Sequence, residues 1–153
     1  MPWWLALLGC MPAASFAQAE EPYRARAPLV SEAPVLDGVL DDPVWQQAFT
    51  IENFTQVEPV MGAAPSERTL IYIARDERNL YVGVRSYDRD PSSIVAKRMQ
   101  RDDLILYDDR FGFALDTYHD HRNGFFFQVN PVGGRKDGIF EGNLFMEEWD
   151  GIW

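Results

Sequence analysis

Cysteine is almost missing from this chain of 153 residues: Cys10 stands alone, inside the first segment. Without a second cysteine no disulfide framework can form, and the rest of the chain offers no thiolate metal site and no cysteine nucleophile. Basic residues are scarce too. Lys plus Arg number 14 against 24 Asp plus Glu, a net charge of −10. A surface of that sign repels phosphate backbones and anionic lipid, so nucleic acid is not an expected partner. Neutral ligands and divalent cations remain compatible with it. Histidine occurs only as His119 and His121. No P-loop, G-x-S-x-G, H-E-x-x-H or G-x-G-x-x-G pattern occurs, so no motif points to nucleotide-phosphate, serine-hydrolase, zinc-protease or dinucleotide chemistry.

Residues 1–19 carry no charged side chain. They include Trp3, Trp4, Leu5, Leu7 and Leu8, and they end in Ala17-x-Ala19, a small-x-small cleavage pattern. This reads as a secretory signal peptide cut after Ala19, or after Ala17. Gly9 and Pro12 interrupt the run, which is too short for a comfortable transmembrane helix. Leu7-Leu8-Gly9-Cys10 has a faint likeness to a lipoprotein box. Residues 20–28 read as an exposed linker, and residues 29–153 as one domain.

Within that domain the stretch from Leu36 to Trp45 concentrates local signals. Asp37-Gly38 is a turn pair. Asp41 or Asp42 can cap a helix whose first position Pro43 suits, because no N–H is needed there. Val44, Trp45 and Ala48 follow at helical spacing, with Trp45 as a core plug. A strand is expected over residues 29–36 and another over 49–57. Residues 68–74 and 80–87 form the clearest hairpin, turning at 76–79. The first of these is apolar on both faces and so central in its sheet. Asp90-Pro91 repeats the helix-start chemistry, with Ile94, Val95, Arg98 and Met99 at helical spacing. Residues 111–116 and 125–130 form a second hairpin, and 137–145 a further strand interrupted at Gly138 and Gly142. Many short strands and two brief helices predict an all-β fold, an antiparallel β-sandwich of jelly-roll-like type. Two Trp in the last five residues, with no polar tail, suggest a domain cut before its final strands.

Three groups of residues carry chemistry. Asp102, Asp103, Asp108 and Asp109 offer hard oxygen ligands, with calcium the candidate cation, or else form salt bridges with Arg98, Arg101 and Arg110. His119 and His121 share a turn with Asp116 and Asp120, as metal ligands or as a solvated hairpin tip. Tyr107, Tyr118 and Trp149, with Arg101, Arg110, Arg122, Asn123 and Asn130, supply what a sugar needs: ring faces for its C–H surface and planar polar groups for its hydroxyls. A glycosidase would need two carboxylates across the scissile bond, and no motif singles out such a pair. Phe125, Phe126 and Phe127 alternate across the sheet, so Phe126 should face away from its neighbours.

The order of motifs resembles a known family. Asp37-Gly38-x-x-Asp41-x-x-x-Trp45 is followed by Ser66-Glu67-Arg68-Thr69, Asn79-Leu80-Tyr81-Val82-Gly83-Val84 and Arg101-Asp102-Asp103. Asp108-Asp109-Arg110-Phe111, Leu115-Asp116-Thr117, Arg122-Asn123-Gly124-Phe125, Val129-Asn130-Pro131 and Trp149-Asp150-Gly151 complete the series. Over residues 29–153 it resembles the carbohydrate-binding module family 9-like domain, most closely the version at the N-terminus of bacterial envelope proteins that continue as an outer-membrane β-barrel. The resemblance implies a β-sandwich that binds a polysaccharide or oligosaccharide without cleaving it, often beside glycoside hydrolases and often with calcium. Sugar-binding members clamp a terminal sugar between two Trp rings, a role Trp149 matches. Final strands beyond Trp153 would be expected. The implied setting is an exported protein of a Gram-negative bacterium, in the periplasm, outer membrane or extracellular space. The alternatives are a periplasmic structural or interaction domain serving the downstream β-barrel, and a component of a glycoside hydrolase.

Overall fold

A computed structural model describes residues 25–153. The expected leader, its two cleavage positions and Cys10 lie outside the described residues. The chain is all-β, with two antiparallel sheets, as expected from the spacing of strand and turn signals. One sheet holds β1 (Phe49–Ile51), β2 (Thr69–Arg75) and β3 (Leu80–Ser86) in the order β1-β2-β3. The other holds β4 (Phe111–Leu115), β5 (Asn123–Val129), β6 (Arg135–Glu141) and β7 (Leu144–Met146), in sequence order. Each sheet is thus a meander of consecutive strands.

The clasp forms as its residues dictate. Asp37 accepts the Val39 N–H at 2.8 Å, and Gly38 takes the left-handed backbone at φ 85°. The helix α1 (Pro43–Gln47) starts on Pro43 after Asp42, whose side chain makes no capping bond. Trp45 and Val44 are buried with Val30, Ala74 and Tyr81, and Leu40, Ala48 and Tyr72 pack around them. Trp45 lies directly over β3. A Cβ on Gly83 would come within 3.0 Å of the indole and 2.9 Å of Leu40. Glycine is required here by the close approach of ring and backbone.

β2 is the middle strand of its sheet, as its two apolar faces demand. Leu70 and Ala74 are buried on the Trp45 side. The turn to β3 is fixed by Asp76, which accepts the N–H groups of Arg78 and Asn79 and the Tyr81 hydroxyl. These bonds, led by that of Tyr81, hold the Asp76 carboxyl far below the usual carboxylate range.

Three local expectations are corrected. Residues 29–36 form no strand: only Leu29 bridges Arg75, in parallel, with Val30 N–H donating to Arg75. Pro34 lacks the donor that a longer ladder would need. The 49–57 strand stops at Ile51, since the Phe54 N–H turns back to Glu52. Asp90-Pro91 opens a single turn, Pro91–Ser93, and no helix follows over 94–99. The N–H groups of Val95, Lys97 and Arg98 are taken instead by the carboxylates of Asp109 and Asp108. Side-chain acceptors displace the helical carbonyls, and the apolar spacing there has no helix to serve.

In the second sheet the alternation holds. Phe126 packs edge-on against Phe140 and Phe145, at 6.0 and 5.6 Å between ring centres. Phe125 and Phe127 face the other way, toward Trp149 and Trp153. β6 runs unbroken through Gly138, where a Cβ would collide with the Phe145 ring at 2.5 Å. The expected interruption falls only at Gly142, at φ 59°, in the turn to β7.

Candidate functional site

Three polar clusters flank the second sheet, and they divide the expected site residues among them.

The first lies on the aromatic face. Cross-strand register puts Phe113, Phe127 and Asp137 side by side on that face. Asp137 is fully buried. A carboxylate can occupy an apolar face only if its charge and lone pairs are matched. Arg101 Nη2 donates to both oxygens of Asp137, at 2.7 and 2.9 Å, and the Gly151 N–H donates at 2.5 Å. The same Nη2 also donates to the Gly151 carbonyl at 2.9 Å. Both polar groups of the Gly151 backbone are therefore gripped. Above it, the Trp149 ring leaves no room for a Cβ on Gly151 and packs against Phe125 at 5.0 Å. The Arg101–Asp137 pair thus sets where Trp149 lies. Trp149 is half-buried, with ring surface committed to the fold.

Asp102 and Asp150 complete this cluster. Carboxylate oxygens of Asp102, Asp137 and Asp150 lie within 4.8 Å of one another, the one such group of three among the described residues. Arg101 occupies its centre: Nε is 3.4 Å from Asp102 and 3.0 Å from Asp150. Burial pulls the Arg101 pKa down, and the hydrogen bond and charge of Asp137, helped by Asp150 and Asp102, more than reverse it. The single guanidinium offsets one of the three carboxylate charges, and its hydrogen bonds are given to Asp137 and the Gly151 carbonyl.

The second cluster centres on Asp108, which is buried and accepts the N–H groups of Lys97 and Arg98 at 2.9 and 3.0 Å. Asn130, also buried, donates to it at 2.9 Å and to the Arg98 carbonyl at 2.6 Å. The Asn130 oxygen accepts the Gly134 N–H at 2.7 Å. Burial raises the Asp108 pKa, but the bonds from Arg98, Lys97 and Asn130 outweigh it and hold the carboxyl below its ordinary range. Arg110 donates to the carbonyls of Leu106 and Asp108, so its guanidinium braces the Ile105–Tyr107 turn. Beside this scaffold opens a cleft of about 520 Å³, lined by Val95, Lys97, Arg98, Asp103, Tyr107 and Asp108. Tyr107 stands on its wall with 75% of its surface exposed. Arg98 pairs with Asp103 at 2.9 Å across it.

The third cluster is the tip between β4 and β5. Asp120 accepts the N–H groups of Arg122 and Asn123, and the Asn123 side-chain amide at 2.6 Å. Arg122 is exposed.

The expected sugar-binding residues are therefore not one surface. Tyr107 lines the cleft, and Asn130 and Arg110 support it from behind. Arg101 and Trp149 belong to the aromatic face, and Arg122 and Asn123 to the tip. The four aspartates named for calcium diverge as well. Asp102 joins the Arg101 group, Asp103 pairs with Arg98, Asp108 binds Lys97 and Arg98, and Asp109 binds the Val95 N–H. Sequence reasoning missed Asp137, Asp150 and Lys97. The signal for Asp137 was its register opposite Phe127, legible only once β6 is known to start at Arg135. Comparisons of the chain with protein-family models, curated proteins and solved structures return no match.

Proposed function

We propose that this chain is a non-catalytic carbohydrate-binding module of an exported bacterial protein, and that it takes a polysaccharide or oligosaccharide chain end in the Tyr107 cleft. The observation that carries this reading is the ring of Tyr107, exposed on the wall of a concavity rimmed by Lys97, Arg98 and Asp103. A sugar presents a C–H face that stacks on such a ring and hydroxyls that pair with cations and carboxylates. A cleft of about 520 Å³ has room for one or two sugar rings. A glycosidic general acid needs a raised pKa, and Asp108, buried behind the cleft and held low by its hydrogen bonds, does not fit that role. Trp149 serves as a packed support on the adjoining sheet face.

Titration calorimetry with xylan, cellulose and chitin oligosaccharides tests the proposal. Binding that Tyr107→Ala weakens by about tenfold supports it. A folded protein that binds none of a broad glycan panel removes it, leaving an interaction domain beside an outer-membrane β-barrel as the better reading.

A further inference from the structure

We propose that the tip between β4 and β5 is a surface site for a divalent transition metal such as zinc or nickel, held by His119 and His121. Both histidines adopt the left-handed backbone, at φ 54° and 56°. Non-glycine residues rarely do so, and two within three positions require the surroundings to enforce it. The enforcement is visible. Asp116 accepts the N–H groups of Asp120 and His121 at 3.2 and 2.8 Å, and Asp120 accepts those of Arg122 and Asn123. The tip is thus closed by its own carboxylates before any ligand arrives.

The result is two imidazoles side by side in solvent. Their ring centres are 5.1 Å apart and their planes tilt by 55°. Nothing in the core gains from this, since His121 is 82% exposed. Imidazole nitrogen suits zinc, nickel and copper, each bond being about 2 Å long. Rings at this separation can bring one nitrogen each to a shared ion by side-chain rotation alone. Asp116 lies 3.9 Å from His121 Nδ1, close enough to orient that ring. Arg122 is the opposing charge at the tip, and Asp116 and Asp120 outnumber it. Water would complete the coordination shell. This site is separate from the Tyr107 cleft and from the carboxylates around Arg101, so it stands or falls independently of glycan binding.

The test uses the full chain without a polyhistidine tag, titrated with zinc and nickel chloride by calorimetry and by the imidazole resonances in NMR. His119→Asn and His121→Asn remove each ring while keeping a residue that tolerates the left-handed backbone. One ion bound per chain, with each variant at least about tenfold weaker and thermal melting unchanged, is the expected result. Absence of saturable binding, or binding that survives both substitutions, overturns the proposal. Binding lost in Asp102→Asn but kept in the histidine variants also overturns it, by moving the ion to the Arg101 cluster.

Discussion

The two sheets are held in different ways. Around Trp45 the first sheet closes by packing: Val30, Val44, Ala74 and Tyr81 cluster with the indole, and the one polar tie, from the Tyr81 hydroxyl to Asp76, lies at its edge. The second sheet carries rings on both faces, yet one face is also tied by a buried charge, Asp137, to Arg101 and Gly151. Apolar packing is non-directional and tolerates approximate partners. A buried carboxylate tolerates only its own donors. The first sheet therefore works as ballast, and the second fixes the loops around Arg101 and Gly151.

Truncation of the ballast should have the largest effect. Trp45→Ala is expected to cost about 3–5 kcal/mol in denaturant unfolding, from lost burial and the cavity left behind. Trp45→Phe should cost much less. It keeps most of the ring, and it deletes an indole N–H that is buried without a partner.

Breaking the latch should come next and should look different. Asp137→Ala leaves the Gly151 N–H without its acceptor and Arg101 with only Asp102, Asp150 and the Gly151 carbonyl, at a cost of about 1–3 kcal/mol. Its distinguishing mark is local. Fluorescence of Trp149 should shift toward that of exposed indole, read in a background where Trp3, Trp4, Trp45 and Trp153 are all changed to Phe so that Trp149 is the one indole left. If Asp137→Ala only lowers the melting temperature and leaves Trp149 unmoved, Arg101 and Asp137 do not position that ring.

Acid should separate the regions further. Asp108, Asp116 and Asp120 in the second half of the chain, and Asp76 at the turn before β3, all have folded pKa values below the ordinary one. For such groups the stabilisation is present above the unfolded value, near 3.9, and is lost as pH falls through the folded value. Stability should therefore decline as pH drops below about 4. Hydrogen exchange should show the segments over 95–110 and 116–123 opening at higher pH than the turn before β3, where Asp76, bonded to Tyr81 of the Trp45 core, is held lowest and keeps its bonds longest. Asp108→Asn should flatten that dependence in the first segment. The smallest effect is expected at the surface pair Arg68–Glu52, 2.9 Å apart with both side chains more than half exposed. Solvent and salt screen it, and Arg68→Ala should leave the melting temperature almost unchanged.

The parts legible in sequence were those set by neighbours along the chain. Asp37-Gly38 makes its turn, Pro43 starts α1, and β2 and β3 pair through the Asp76 turn. Phe126 opposes Phe125 and Phe127 because a strand alternates. The helix that failed depended on distant acceptors. Ile94, Val95, Arg98 and Met99 have helical spacing, but Asp108 and Asp109, ten and more residues on, take the N–H groups a helix would use. The candidate site suffered the same way. Arg101, Asn130 and Trp149 are the right residue types for a sugar, yet register and burial turn them into scaffold. Tyr107 is different: its exposure leaves its ring free.

That ring gives the most direct test of the functional proposal. Affinity for soluble oligosaccharides should be measured for the native chain, Tyr107→Ala and Asp137→Ala at a temperature where all three are folded. Glycan binding at the cleft requires that Tyr107→Ala weaken it by about tenfold, and by more than Asp137→Ala does, although Asp137 is tied to Arg101 and Asp102 next to the lining residue Asp103. Equal affinity for native chain and Tyr107→Ala, or loss only in Asp137→Ala, would contradict the cleft and place any sugar on the Trp149 face instead.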